Sequence, residues 1–144
     1  MEVTIGNEAQ LILQAQSIRY QVFTLEQGIP AELDFDGLDN ESFHVLVTDN
    51  SEPVATARLT QKESGHSVMA RVAVTESHRG LGVATKVIEA LIEHARSIGL
   101  CSIEIHAHSY LRTYYEKFGF LFIQQVEVVG EHQLIEMQLG LTHG

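Results

Sequence analysis

The apolar positions of this chain change period several times, and the changes mark its elements. Residues 1–5 alternate briefly, as a half-buried strand does, and over residues 8–25 Leu11, Ile12, Ala15, Ile18, Val22 and Leu25 recur at helical spacing. A strand and then a helix are predicted. Residues 26–41 break the period, with Gly28, Pro30 and Gly37 among six acidic residues, so a loop with one short helical turn is expected there. The apolar runs 44–48 and 53–60 are joined by Asp49-Asn50-Ser51-Glu52, a composition suited to an antiparallel hairpin. After a second turn at Ser64-Gly65-His66, residues 68–74 extend the meander by one more strand. Val87, Ile88, Leu91, Ile92 and Ala95 then form one face of a helix over 84–98, which Gly99 is placed to end. A strand (102–107), a short helix (109–117) and a terminal strand pair (120–128 and 133–139) complete the order. The fold class is α/β with a mixed sheet: an antiparallel meander followed by a βαβ crossover, with helices packed on both faces.

Composition narrows the class of protein. The 144 residues, 44% hydrophobic and 19% charged, carry no linker or low-complexity tract, so one domain over residues 1–144 is expected. A formal charge of −10 argues against nucleic acid or an anionic membrane surface as partner and favours a cationic small molecule. Cys101, the single cysteine, excludes an intramolecular disulfide, and Met1-Glu2-Val3-Thr4 lacks the basic start of a signal peptide. A cytoplasmic protein is expected, with a homodimer left open. Cys101 itself, among apolar residues at a strand start, is expected to be an inert buried thiol.

Between the predicted strand 68–74 and helix 84–98 stands Arg79-Gly80-Leu81-Gly82-Val83-Ala84. Glycines at alternate positions let the backbone turn several N–H groups onto one anion at a helix start, where the helix dipole adds partial positive charge. The ligand this suits is a phosphorylated cofactor; a plain tight turn is the alternative. A nucleotide P-loop needs Lys-Ser/Thr after its last glycine, whereas Gly82 is followed by Val83-Ala84-Thr85-Lys86. A dinucleotide fingerprint needs a third glycine within a parallel repeat, and a meander precedes this loop instead.

The remaining match is Arg-x-x-Gly-x-Ala, on which the chain resembles the GNAT superfamily of acetyl-coenzyme A-dependent N-acetyltransferases. Arg71-Val72-Ala73-Val74 precedes the loop as that family's fourth strand does, and Tyr115-Glu116-Lys117-Phe118-Gly119-Phe120 looks like its late Tyr-Glu-Lys-x-Gly-Phe signature. Arg19, Phe23 and Glu26-Gln27 are similar to a stretch of its bacterial YjcF-like and ElaA-like branch. The resemblance implies that the backbone of Arg79, Gly80, Leu81, Gly82, Val83 and Ala84, with Thr85, receives the coenzyme A pyrophosphate. It implies too that Val72, Ala73 and Val74 pair through their backbone edge with the pantetheine arm. His108, Leu111 and Tyr115 fall on the family's Asn-x-x-Ala-x-x-x-Tyr pattern, with the Asn and Ala replaced; His108 either makes the missing Asn contact or leaves it lost. The family histidine near the last strand is also missing, at Leu134, with His132 two residues away.

The resemblance implies an acetyltransferase that moves an acetyl group from acetyl-CoA directly to the primary amine of a small, cationic substrate. Tyr115 is the candidate acid for the departing thiolate, a packed aromatic being the alternative, and Tyr114 is expected to be a packing residue. A base for the amine is sought among Glu26, Glu32, Asp34, Asp36, Asp39 and Glu104. Glu26 is the chosen candidate; pairing with Arg19 or capping the loop is its alternative role. No metal is expected. Asp34-x-Asp36 lacks the rest of a calcium loop, and His106-x-His108 reads as a polar strand face turned to the cofactor cleft rather than a zinc pair. The altered Asn, Ala and His positions motivate a second reading, a catalytically inactive coenzyme A-binding sensor.

Overall fold

A computed structural model describes residues 1–141. Among these, seven strands form one mixed sheet: β1 (Glu2–Gly6), β2 (Ser42–Asp49), β3 (Glu52–Gln61), β4 (His66–Val74), β5 (Ser102–His108), β6 (Leu121–Val129) and β7 (His132–Gly140), in the spatial order β1-β2-β3-β4-β5-β7-β6. The expected α/β mixed sheet is what forms. β1 to β4 are antiparallel neighbours, β4 and β5 are parallel, and β7 returns between β5 and β6. That return is a feature the strand pattern alone leaves open, because either terminal strand has the period to pair with β5. The hairpin turn between β2 and β3 falls on Asn50 and Ser51, both at positive φ (51° and 70°), as a two-residue turn between right-twisted strands requires.

Two layers of helix close the core. Helix α3 (Val83–Ser97) buries Val83, Val87, Ile88, Leu91, Ile92 and Ala95 against one face, and its stripe continues into Ile103, Ile105, Met137 and Phe120. Helix α1 (Ala9–Arg19) covers β2 to β4 on the other face through Leu11 and Ile18 against Leu46 and Ala73. The helix predicted over 8–25 is thus α-helical only to Arg19; a wider π-helical segment, Tyr20–Glu26, carries the chain to the acidic loop. That loop contains a single turn of helix, α2 (Ala31–Asp34), and a 3₁₀ turn (Asp39–Glu41). Helix α4 (Arg112–Glu116) follows β5. No helix among the described residues is long and apolar enough to cross a membrane.

On the face beneath α1, the right half of the sheet has no covering helix among the described residues. There Glu104, His106 and His108 of β5 lie beside Gln138, Glu136 and Leu134 of β7. This open face borders the site.

Candidate active site at the splayed strands

β4 and β5 pair only from His66–Ser102 to Val68–Glu104. Beyond that point β4 carries one residue more than β3, since Ala70 and Ala73 face Arg58 and Thr56, and the extra residue, Arg71, has φ 60°. A bulge of this kind bends its strand locally, and here it accompanies the parting of β4 from β5. The opening is a cleft of about 1080 Å³ lined by Met69, Arg71 and Val72 on one side and Ile105, His106, Ala107 and His108 on the other. Past Val68 the inner edge of β4 has no strand partner among the described residues, so its N–H and C=O groups are available to an extended, amide-bearing ligand.

The glycine loop forms one end of this cleft. Gly80 and Gly82 both have φ +77°, with nothing within 4 Å of where a Cβ would stand, so backbone conformation rather than crowding requires glycine. Gly82 caps α3, whose first-turn N–H groups have no intrahelical acceptor. Arg79, Gly80, Gly82, Val83, Ala84 and Thr85 all line the cleft. Leu81 is 61% exposed and Ala73 is buried against α1, so any part these two take is through their backbones.

Tyr115 lines the deep part of the cleft among core residues, where burial, with a smaller push from Tyr114, raises its phenol to about 12. Tyr114 packs against the core beside Tyr115 and Phe118, as expected of it, and it also lines the cleft, its hydroxyl 2.9 Å from Thr85 Oγ1. His108 lines the cleft, stacked at 5.2 Å on Tyr110 with His132 edge-on at 4.8 Å, and its buried Nδ1 has no hydrogen-bond partner among the described residues. His132 therefore reaches the region where the family histidine is missing at Leu134.

The acidic candidates go elsewhere. Asp34, Asp36 and Asp39 alternate with Arg19, Arg58 and Arg71 in a continuous charged chain. Arg19 donates to Asp34 (Nε, 2.9 Å) and to Asp39 (2.9 Å), Arg58 to Asp36 (2.7 Å) and Asp39 (3.1 Å), and Arg71 pairs with Asp34 (2.9 Å) and Asp36 (3.2 Å). Burial would raise Asp39 and Asp36, but hydrogen bonds from Arg19 and Arg58 outweigh it and hold both below the usual carboxylate range. Such carboxylates fix the loop to α1, β3 and β4 and are poor proton acceptors. Arg58 was the missed signal: a charged residue in an otherwise apolar strand run demands buried counter-ions. Glu26 pairs with neither Arg19 nor a helix end. It takes both terminal nitrogens of Arg79, which also donates Nε to Val74 O at 3.1 Å. The guanidinium lowers Glu26 and the carboxylate raises Arg79.

Cys101 is exposed rather than buried, because it stands in the turn before β5, its N–H held by Gly65 O at 2.7 Å. Among the described residues no cluster of three or more metal-ligating side chains occurs.

Residues 10–120 match the sequence profile of the acetyltransferase (GNAT) family, spanning the splayed strands and the glycine loop alike. The chain belongs to the GNAT family. Among GNAT relatives, an N-acetyltransferase of Bacillus subtilis, YjcF, is 32% identical over 127 residues, 88% of this chain and 90% of the relative. The crystal structure of Escherichia coli ElaA superimposes with a TM-score of 0.83 at 26% identity, covering 96% of this chain and 98% of that one. An aminoglycoside 6'-N-acetyltransferase solved with coenzyme A shares the fold at 14% identity, with a TM-score of 0.78 over 100% of this chain and 99% of its own. The GNAT resemblance read from residues 79–84 and 115–120, including its YjcF and ElaA branch, agrees with these matches.

Proposed function

We propose that this GNAT protein transfers an acetyl group from acetyl-CoA to the primary amine of a small cationic molecule, both held at once in the cleft. The observation that carries the reading is the continuity of that cleft, from the glycine loop past Tyr115 to the open sheet face at His106. One cavity thus offers anion-binding amides, a buried phenol and a solvent-accessible approach.

In this reading the loop amides and Arg79 bind the pyrophosphate, and the free edge of β4 at Val72–Val74 aligns the pantetheine amides, with His108 Nδ1 as a further polar contact. These residues fit the cofactor, because the orphaned β4 edge and the unpartnered His108 nitrogen both face the space it would fill. When bound, acetyl-CoA supplies an activated acyl group. Backbone N–H of β4 near Val72 polarises the carbonyl. Tyr115, kept protonated by burial, donates to the departing sulfur. Glu26, the base candidate from sequence, instead holds Arg79. No cysteine lines the cleft, which favours direct transfer over an acyl-enzyme. Glu127 on the cleft wall and a net charge of −10 favour a cationic acceptor, and the proposal places the reaction in the bacterial cytoplasm.

Free-thiol release from acetyl-CoA across a panel of primary amines tests this. Turnover with at least one amine is expected, with Tyr115→Phe lowering kcat by about 10²-fold while coenzyme A affinity holds. Tight coenzyme A binding without thiol release for any amine would favour the sensor reading instead.

A further inference from the structure

We infer that His106, oriented by Glu104, takes the proton from the acceptor amine, on the opposite face of the sheet from Tyr115. The inference rests on the transferase reading above. Strand alternation sends Ile103, Ile105 and Ala107 into the core beside Tyr115, and Glu104, His106 and His108 to the other face. Val68–Glu104 is the last pair joining β4 to β5, so His106 is the first residue on that face to border the opening. An amine entering from the open face meets it, while the phenol stands on the far side of the gap. Acid and base on opposite faces serve a displacement in which the nucleophile arrives from one side and sulfur departs on the other.

His106 has the geometry for the task. Its Nε2 lies 2.9 Å from Glu104 Oε2, and an ionised carboxylate is only an acceptor, so that nitrogen carries the hydrogen and Nδ1 keeps its lone pair. The ring is 44% exposed, accessible to an amine delivered from solvent. The charged surroundings are Glu104 and His108 on β5, Glu136 opposite on β7, Glu127 on β6, and Arg71 on β4, which Asp34 and Asp36 neutralise. Glu136 accepts from Gln124 at 3.0 Å. Carboxylates therefore flank the ring on its own strand and on β7. Glu26, Asp34, Asp36 and Asp39, four of the other acids proposed from sequence, are held by arginine.

The step balances. His106 Nδ1 first takes a proton from the bound ammonium and passes it to solvent; the neutral nitrogen then forms the C–N bond with its lone pair and gives its second proton to His106 Nδ1. The C–S bond breaks with its electron pair on sulfur, which takes the Tyr115 proton, and the imidazolium proton returns to the tyrosinate through water. The products are an acetamide and free coenzyme A thiol.

The test uses the full chain, acetyl-CoA, cadaverine as a strongly basic amine and 2,2,2-trifluoroethylamine as a weakly basic one. His106→Gln should lower kcat with cadaverine by about 10²-fold and remove the acid limb of its pH profile, with a clearly smaller loss for trifluoroethylamine. Glu104→Gln should shift the same limb with a loss of about tenfold, and coenzyme A binding by calorimetry should stay within about twofold in both variants. An active wild type whose His106→Gln variant keeps its turnover and pH profile, or loses equally with both amines, overturns this assignment alone. A wild type that binds coenzyme A yet acetylates neither these amines nor any other in the panel overturns the transferase reading and this assignment with it.

Discussion

Arg79 holds Glu26 through both terminal guanidinium nitrogens at the mouth of the cleft. The carboxylate thereby occupies donors that a pyrophosphate on the neighbouring loop amides would use, and two anions sharing one guanidinium oppose each other. Glu26→Gln is expected to tighten coenzyme A binding by about two- to fivefold at low ionic strength, with the gain shrinking as salt rises. Calorimetric titration at two salt concentrations checks it, and weaker binding would mean that Glu26 instead prepares Arg79 for the ligand. The two residues are 53 apart in the chain, which is why the sequence suggested Arg19 rather than Arg79 as the partner of Glu26. Tyr114 packs on the core as expected from sequence, but its place on the cleft wall beside Tyr115 is a tertiary outcome.

At the scale of elements, the glycine loop and the β4 bulge make the site together, and only the first has a sequence signature. Gly82 at φ +77° is a position that a β-branched side chain strains severely. Gly82→Val should weaken coenzyme A binding about tenfold or more and lower the thermal midpoint by several degrees, from backbone strain alone, since a Cβ there meets no neighbour. Calorimetry and a thermal melt on the same sample separate the two effects. Arg71, by contrast, takes φ 60° with a side chain that tolerates it poorly, and nothing local announces the bulge. Its ion pairs with Asp34 and Asp36 supply a tertiary reason for the conformation.

Across the whole molecule the three-arginine, three-aspartate chain ties α1, the acidic loop, β3 and β4 into one body and sets the response to acid. Burial lowers His44, so the native state keeps it neutral while the unfolded chain binds a proton below about pH 6.5; stability falls as pH drops through that value. Asp39 is also lowered, so its contribution is complete above the unfolded carboxylate value of about 3.9 and is lost as pH falls through the depressed native one. Urea unfolding between pH 7 and pH 3 should show both declines. Asp39→Asn, which leaves Arg19 and Arg58 short of a counter-charge, should cost about 3 kcal/mol or more at pH 7 and flatten the lower decline. An unchanged midpoint would show that the remaining aspartates rearrange to cover both guanidinium groups. The sequence by itself determined what is local: the apolar periods of α1, α3 and the strands, the Asn50-Ser51 turn, the two glycines before α3 and the motifs of the GNAT family. Periodicity and turn chemistry act over a few residues, so they survive translation into structure. Only the tertiary structure decided where β7 inserts, that β4 parts from β5, that the acidic loop spends its aspartates on Arg19, Arg58 and Arg71, and that Glu104 and His106 meet on the open face. Those outcomes depend on which strands and loops become neighbours, and charges far apart in the chain pair according to that order.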